Sequence, residues 1–144
     1  MARWIEPCAA AVLILCATGT MAQTPTGVMV IVDERTIEKT EPNPHGKIGL
    51  STSYRISDQA PNRSMEFRKR ILHPGSAIGL HPIDHDEVYY VMSGTGEVTS
   101  DGISKPLSAG MAAYLYSGSE VGIKQTGPEP LTLIIAYPLK DRKP

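Results

Sequence analysis

Two histidines and a glutamate stand close together in the stretch Gly75–Gly96: His81, His85 and Glu87. Imidazole nitrogens and a carboxylate oxygen are ligands that suit Zn, Fe, Mn or Ni, and the same groups exchange protons near neutral pH. His85 precedes Glu87 by two residues, and residues of equal parity share a face of an extended strand. His81, His85 and Glu87 therefore make a candidate metal set of two histidines and one carboxylate. Asp84-His85-Asp86, however, reads as the turn between two strands, where parity fails, and there His85 is an exposed loop histidine flanked by acids. Without metal, His81 and Glu87 still need partners, because a buried carboxylate left unpaired is costly. A His81–Glu87 pair is the candidate catalytic acid and base, or a polar anchor for a sugar hydroxyl or a carboxylate. His45 and His73 adjoin Pro44 and Pro74 and read as loop residues.

The elements that must position these groups are strands. Gly27–Asp33 is a β-branched run suited to a first strand, and Lys47–Ile56 reads as a second, with a loop over Thr40–Pro44 between them. Ser64–Leu72 alternates, with Met65, Phe67 and Ile71 assigned inward and Glu66, Arg68 and Arg70 outward. The cluster Arg68-Lys69-Arg70 then reads as a solvated strand edge that blocks aggregation. Further strands are predicted at Ala77–Ile83, Glu87–Met92, Glu97–Ser100, Met111–Tyr116, Val121–Gln125 and Leu131–Tyr137, separated by glycine-rich turns. Many short strands with close turns argue for an all-β sandwich or barrel. On the strand Glu87–Met92, Tyr89 shares parity with Glu87 and should point inward beside it. Val88, Tyr90 and Met92 should face outward as an apolar row, the kind of surface a dimer covers.

The stretch Gly75–Gly96 resembles the first signature of the cupin family, which runs Gly, five residues, His-x-His, three residues, Glu, six residues, Gly. Gly75, His81, Glu87 and Gly94 fall on that pattern, and Ile83 stands where the second histidine belongs. A second signature is located at Gly110–Gln125, where Gly110 and Gly118 match. There Tyr116 replaces a proline, Val121 a histidine and Gln125 an asparagine. The resemblance covers His73–Pro138 and implies a single jelly-roll β-barrel of the cupin type. It also implies one divalent transition metal held by three histidines and the glutamate. With Ile83 and Val121 apolar, only His81 and Glu87 remain of those four, and catalytic metal sites usually keep three protein ligands. The cofactor expectation is thus either none or a divalent transition metal. The expected pocket has an apolar wall with a few polar groups, His81, Glu87, Tyr89 and Gln125 being the candidate ligand-binding residues. The family resemblance also points to a homodimer.

The chain ends and composition set the compartment and exclude some partners. Arg3, the apolar run Ala9–Thr18 and the small residues around Thr20-Met21-Ala22 read as an export signal. The run is too short to span a bilayer, which needs roughly 20 residues. Residues 1–22 are accordingly read as a signal peptide, 23–60 as N-terminal strands and loops, 61–139 as the barrel core and 140–144 as a tail. The expected location is periplasmic or secreted. Cys8 and Cys16 both lie in the signal, so the mature chain would depend on its core without disulfides. A net charge of −1 excludes the basic excess of a nucleic-acid or anionic-membrane binder.

Two functions follow from these residues. One is a pocket that recognises a small polar ligand, a sugar or organic acid, with an incomplete metal site. The other is a metal-dependent enzyme of the isomerase, lyase or oxygenase kind using His81, His85 and Glu87. Cupins host both, so fold does not choose between them.

Overall fold

The computed structural model describes residues 27–140. Ten strands form two antiparallel sheets: β1 (Glu38–Pro42), β2 (Leu50–Tyr54), β3 (Met65–Leu72), β4 (Ala77–Pro82), β5 (Glu87–Ser93), β6 (Thr95–Ser100), β7 (Ile103–Ser108), β8 (Ala112–Leu115), β9 (Glu120–Thr126) and β10 (Leu131–Pro138). One sheet has the order β1-β2-β3-β10-β5-β8 and the other β4-β9-β6-β7. Among the described residues, two short 3-10 turns, at Glu34–Thr36 and Ile56–Gln59, are the only interruptions of this all-β jelly roll. Among the described residues no helix is long and apolar enough to cross a membrane.

Apolar side chains of alternate parity fill the space between the sheets. Leu72, Tyr89, Val91, Leu131, Leu133 and Ile135 come from the larger sheet, and Ile78, Val98, Val121 and Ile123 from the smaller. The β10 register sets the inner rows of the larger sheet. Ile135 lies opposite Arg68 on one side and Tyr89 on the other, and Leu133 lies opposite Arg70 and Val91. The tight turn between β5 and β6 needs Gly94, because its φ is +77° and a Cβ there would meet the Pro130 carbonyl oxygen at 2.2 Å.

The strand run after Lys47 agrees with the sequence reading to within a few residues, but four expectations are corrected. Gly27–Asp33 forms no strand: Val28, Met29 and Ile31 are 91%, 82% and 86% exposed, since β-branched residues need a ladder partner and a face to bury. The polar segment Glu38–Pro42 is a strand instead, because it pairs with β2 from Glu38↔Tyr54 to Pro42↔Leu50 at the sheet edge, where a proline is tolerated. Ile103–Ser108, with Pro106 inside it, is likewise an edge strand that the pattern did not show. Most consequential is β3. It is no solvated edge but lies between β2 and β10, and its inward face is Glu66, Arg70 and Leu72, with Arg68 half-buried beside them. Met65 and Phe67 point outward, 49% and 38% exposed. The parity of this strand is therefore the reverse of the one its apolar residues suggested.

On β5 the expected orientation holds. Tyr89 and Val91 are buried inside, while Tyr90 and Met92 are exposed and Val88 is half-buried.

Candidate functional site

A cavity of about 250 Å³ opens at the end of the barrel where β4 meets β5. Its polar lining comes from the β1–β2 loop (His45), β3 (Arg68 and Arg70), β4 (His81), the β4–β5 connection (Asp84 and His85), β5 (Glu87 and Tyr89) and β10 (Tyr137). Ile78, Ile83 and Ile135 supply an apolar wall. The pocket thus has the expected apolar wall with a few polar groups; of the four residues expected there, His81, Glu87 and Tyr89 line it and Gln125 does not.

Glu87 is 5% exposed. Its partner is His85, whose Nε2 lies 3.8 Å from Glu87 Oε2. Burial pushes the Glu87 carboxyl above its ordinary pKa, with the nearby charges of His85 and Arg68 opposing that shift. His85 is not the exposed loop residue of the turn reading. It is half-buried, its ring stacks on Tyr137 with centroids 4.3 Å apart, and its buried Nε2 makes no hydrogen bond. Its Nδ1 lies 3.0 Å from Asp84 Oδ1. Hydrogen bonds from Lys140 and then from His85 hold the Asp84 carboxyl below the usual carboxylate range, so Asp84 accepts and His85 Nδ1 donates. In the neutral imidazole the Nε2 lone pair then faces Glu87. His85 thus stands 3.8 Å from Glu87 without a hydrogen bond between them, in the place anticipated for His81.

His81 lines the same cavity from β4. Its Nδ1 donates to the Gly79 carbonyl at 2.9 Å, and its ring stacks on His45 with centroids 3.6 Å apart and planes 4° from parallel. His45 sits in the β1–β2 loop at φ +55°. That loop can lie against β4 because residue 79 is glycine: a Cβ there would sit 1.6 Å from the His45 carbonyl oxygen. Burial, and then the nearby His81, push the His45 imidazole below its ordinary pKa. His45 therefore closes one side of the cavity, a role its reading as a loop residue beside a proline did not reveal.

Tyr89 is 1% exposed, and burial pushes its phenol well above the ordinary range. Gln125 does not belong to the cavity. Its Oε1 accepts from Gly75 N–H at 2.8 Å, and its amide nitrogen donates to carbonyl oxygens of Thr126, Gly127 and Glu129. It clamps two turns at the far end of β9, which corrects its assignment as a ligand-binding residue.

The two arginines are the residues that the sequence reading missed. Arg70 is 1% exposed, donates to Ser51 Oγ at 2.6 Å and lies 3.4 Å from Glu41 Oε1. Its buried Nε has no hydrogen-bond partner. Arg68 donates from Nε to Glu66 at 2.9 Å and from Nη2 to the Tyr137 hydroxyl at 2.7 Å. One signal could have exposed them. Glu66, Arg68 and Arg70 recur with period two in register with Leu72, and opposite charges on one strand face can compensate each other inside a protein.

The fit of a cupin-type metal to these residues is poor. Ile83 and Val121, at two of the four ligand positions, are 4% and 0% exposed in the hydrophobic core. Val121 lies directly opposite His81 in the β4–β9 ladder. The shifted set is not assembled either, since His85 and Glu87 face each other and the His81 ring stacks on His45. Among the described residues no three His, Cys, Asp or Glu side chains gather where they could hold an ion.

Comparison with known proteins supports the fold at several levels. Residues 69–137 match the family described as Cupin domain. The oxalate-binding protein of Thermotoga maritima is 32% identical over 104 residues, which cover 71% of this chain and 86% of that protein. The crystal structure of a "predicted oxalate decarboxylase" from Thermotoga maritima superposes with a TM-score of 0.67 at 27% identity, over 77% of this chain and all of that one. A Cupin 2 conserved barrel domain protein from Salinispora arenicola gives a TM-score of 0.60 at 21% identity, over 77% of this chain and 88% of that one. With its glycine-framed strand pair, its two-sheet jelly roll and these relatives, the chain belongs to the cupin superfamily.

Proposed function

We propose that this protein is an exported cupin that binds a small polar molecule, an organic acid or a sugar, in the cavity between β3, β5 and β10. The observation that carries this reading is the convergence of Arg70, His85 and Glu87, all at least half-buried, on one cavity that also has an apolar wall. A small concave site with a few fixed polar groups is the usual form of a ligand pocket. The relative named as an oxalate-binding protein supports a small-molecule ligand. The rival reading, a metal-dependent isomerase, lyase or oxygenase built on His81, His85 and Glu87, is weakened because these three line one cavity without gathering where, among the described residues, they could hold an ion.

A thermal-shift panel of organic acids and neutral sugars, run with and without added divalent metal, tests the reading. A ligand at 100 times its Kd stabilises the fold by about 2.7 kcal/mol. At least one compound should raise the unfolding midpoint of metal-stripped protein. A panel with no effect would sink the binding reading, and an effect that needs metal would move the enzyme reading ahead.

Export and assembly complete the proposal. The signal and its cleavage site lie outside the described residues, and the expected mature N-terminus is Gln23, which N-terminal sequencing of the native protein checks. The outward row Val88, Tyr90 and Met92 is proposed to be covered in a homodimer. Tyr90→Lys should then weaken association at least tenfold by sedimentation, because it places a charge in the contact. An unchanged dimer would remove that row from the interface.

A further inference from the structure

The chemistry of the cavity separates the two ligand classes left open above. Its cationic groups are Arg68 and Arg70, and their compensation is incomplete. Arg70 is buried to 1% exposure, yet its hydrogen bonds go to a neutral hydroxyl, Ser51, and at 3.4 Å to Glu41. Glu41 already accepts from Arg55 at 3.0 Å and from Ser53 at 3.0 Å, so Arg70 has only a share of one carboxylate. Arg70 Nε is a fully buried donor with no partner. Arg68 spends Nε and Nη2 on Glu66 and Tyr137, which leaves Nη1 as its remaining donor nitrogen. Glu66 is also shared, with Arg63 at 3.4 Å.

An unpaired N–H on a buried cation is expensive, because the group has lost water and gained nothing in return. Such a donor persists where a ligand completes it. A neutral hydroxyl could fill the hydrogen bond and leave the charge uncompensated. A carboxylate supplies both, and its two oxygens match the planar edge of a guanidinium. Of the two acids that line the cavity, Asp84 is held by His85 and Lys140 and Glu87 faces His85, and neither makes a hydrogen bond with Arg68 or Arg70 among the described residues. The volume of about 250 Å³ is below the usual range of about 300–1,000 Å³ for ligand pockets, so it suits a molecule of few atoms.

We infer that Arg68 and Arg70 form an anion site that holds the carboxylate of a small organic acid, mono- or dicarboxylic, by direct guanidinium contact with no metal ion in between. The inference rests on the cavity being the ligand site and selects the acid over the sugar. Arg70 lines the cavity and supplies the buried charge, on a guanidinium whose Nε hydrogen bond is unmade. Arg68, hydrogen-bonded to Tyr137 and through it adjoining His85, adds the second contact at the cavity side.

Calorimetric titration of EDTA-treated full-length mature protein with oxalate, malonate and glucose tests this. Oxalate or malonate should bind without added metal and glucose should not. Arg70→Met should weaken the acid by about 10- to 100-fold, the loss associated with a charge-assisted hydrogen bond. Arg68→Gln, at a half-buried position less critical to folding, should weaken it by about tenfold, and Arg70→Lys should recover part of the loss. Acid binding that appears only with added Mn²⁺ or Zn²⁺, or that is unchanged in both Arg68→Gln and folded Arg70→Met, would overturn the inference. Binding of glucose alone, insensitive to both arginines, would overturn it while leaving the ligand-pocket reading standing. No binding of any probe together with a silent thermal-shift panel would remove both.

Discussion

The two walls of the cavity differ in kind. The wall from β4 and the residue after it carries Ile78 and Ile83, backed in the core by Val121 and Ile123 of β9, with His81 stacked on His45. The wall from β3, β10 and β5 carries Arg68, Arg70, Tyr137, Tyr89 and Glu87. The cupin resemblance places the polar donors mainly on the first wall, around a metal. Here the first wall is packing surface and the second holds the charge. A barrel can therefore keep its fold and its cavity while the polar groups that give the cavity its chemistry lie on a different strand, because alternate inward positions of every strand face the same enclosed space.

The strongest way to break this contrast is to rebuild the first wall. The double change Ile83→His and Val121→His places two imidazoles near His81 and Glu87 on a barrel of the right family. The apo variant should lose about 1–3 kcal/mol for each polar group placed in the core. It should also gain one tightly held divalent ion per chain, with a Kd of about 1 µM or lower, and recover stability on binding. Metal analysis after dialysis and thermal melts with and without Zn²⁺ check this. A variant no better at holding metal than the wild type would mean that the first wall is no latent metal site.

A second change sharpens the contrast by acting outside both walls. Gln125→Ala leaves Gly75 N–H and three carbonyl groups without their side-chain partner. It should cost about 1–3 kcal/mol in denaturant unfolding while ligand affinity stays within twofold. A selective loss of affinity would return Gln125 to the site.

The smallest effect concerns the second wall itself. The folded pKa of Glu87 is raised by burial, so the fold binds protons more readily there than the unfolded chain does. The ionised carboxylate therefore weakens the fold above the raised pKa, and this cost fades as pH falls to the ordinary value of 4.5. Glu87→Gln should raise the unfolding midpoint by a few degrees at pH 7 and leave it unchanged at pH 4. A lowered midpoint at pH 7 would show that the carboxylate is a stabilising partner of His85 and Arg68. Glu41 works in the opposite sense. Burial alone would raise its pKa, yet hydrogen bonds from Arg55 and Ser53 and the charges of Arg55 and Arg70 hold it at about 2. Its contribution is complete above 4.5 and disappears as pH falls towards 2, so the contacts of Glu41 with Arg55 and Arg70 should weaken in acid.

The family, the turn positions and the inward direction of Glu87 and Tyr89 were legible in the residues alone. Glycines at fixed spacing report backbone geometry, and strand parity reports direction wherever apolar and polar residues alternate cleanly. The same rule misled at β3, where Met65 and Phe67 face out and Glu66 and Arg70 face in. Alternation tells which residues share a face but not which face is the interior; that depends on which strands flank β3 and what they bring opposite it. Likewise the apolar run Val28–Ile31 had the propensity of a strand and no ladder to join, while Glu38–Pro42 had a ladder and little propensity. The sequence by itself determined that this is a cupin barrel lacking two of the family's metal histidines. Only the tertiary structure decided that Glu87 faces His85 instead of His81, that Gln125 serves a turn, and that two arginines line the cavity. Those outcomes depend on neighbours brought together from distant segments, and of them only the period-two recurrence of Glu66, Arg68 and Arg70 left a trace in local spacing.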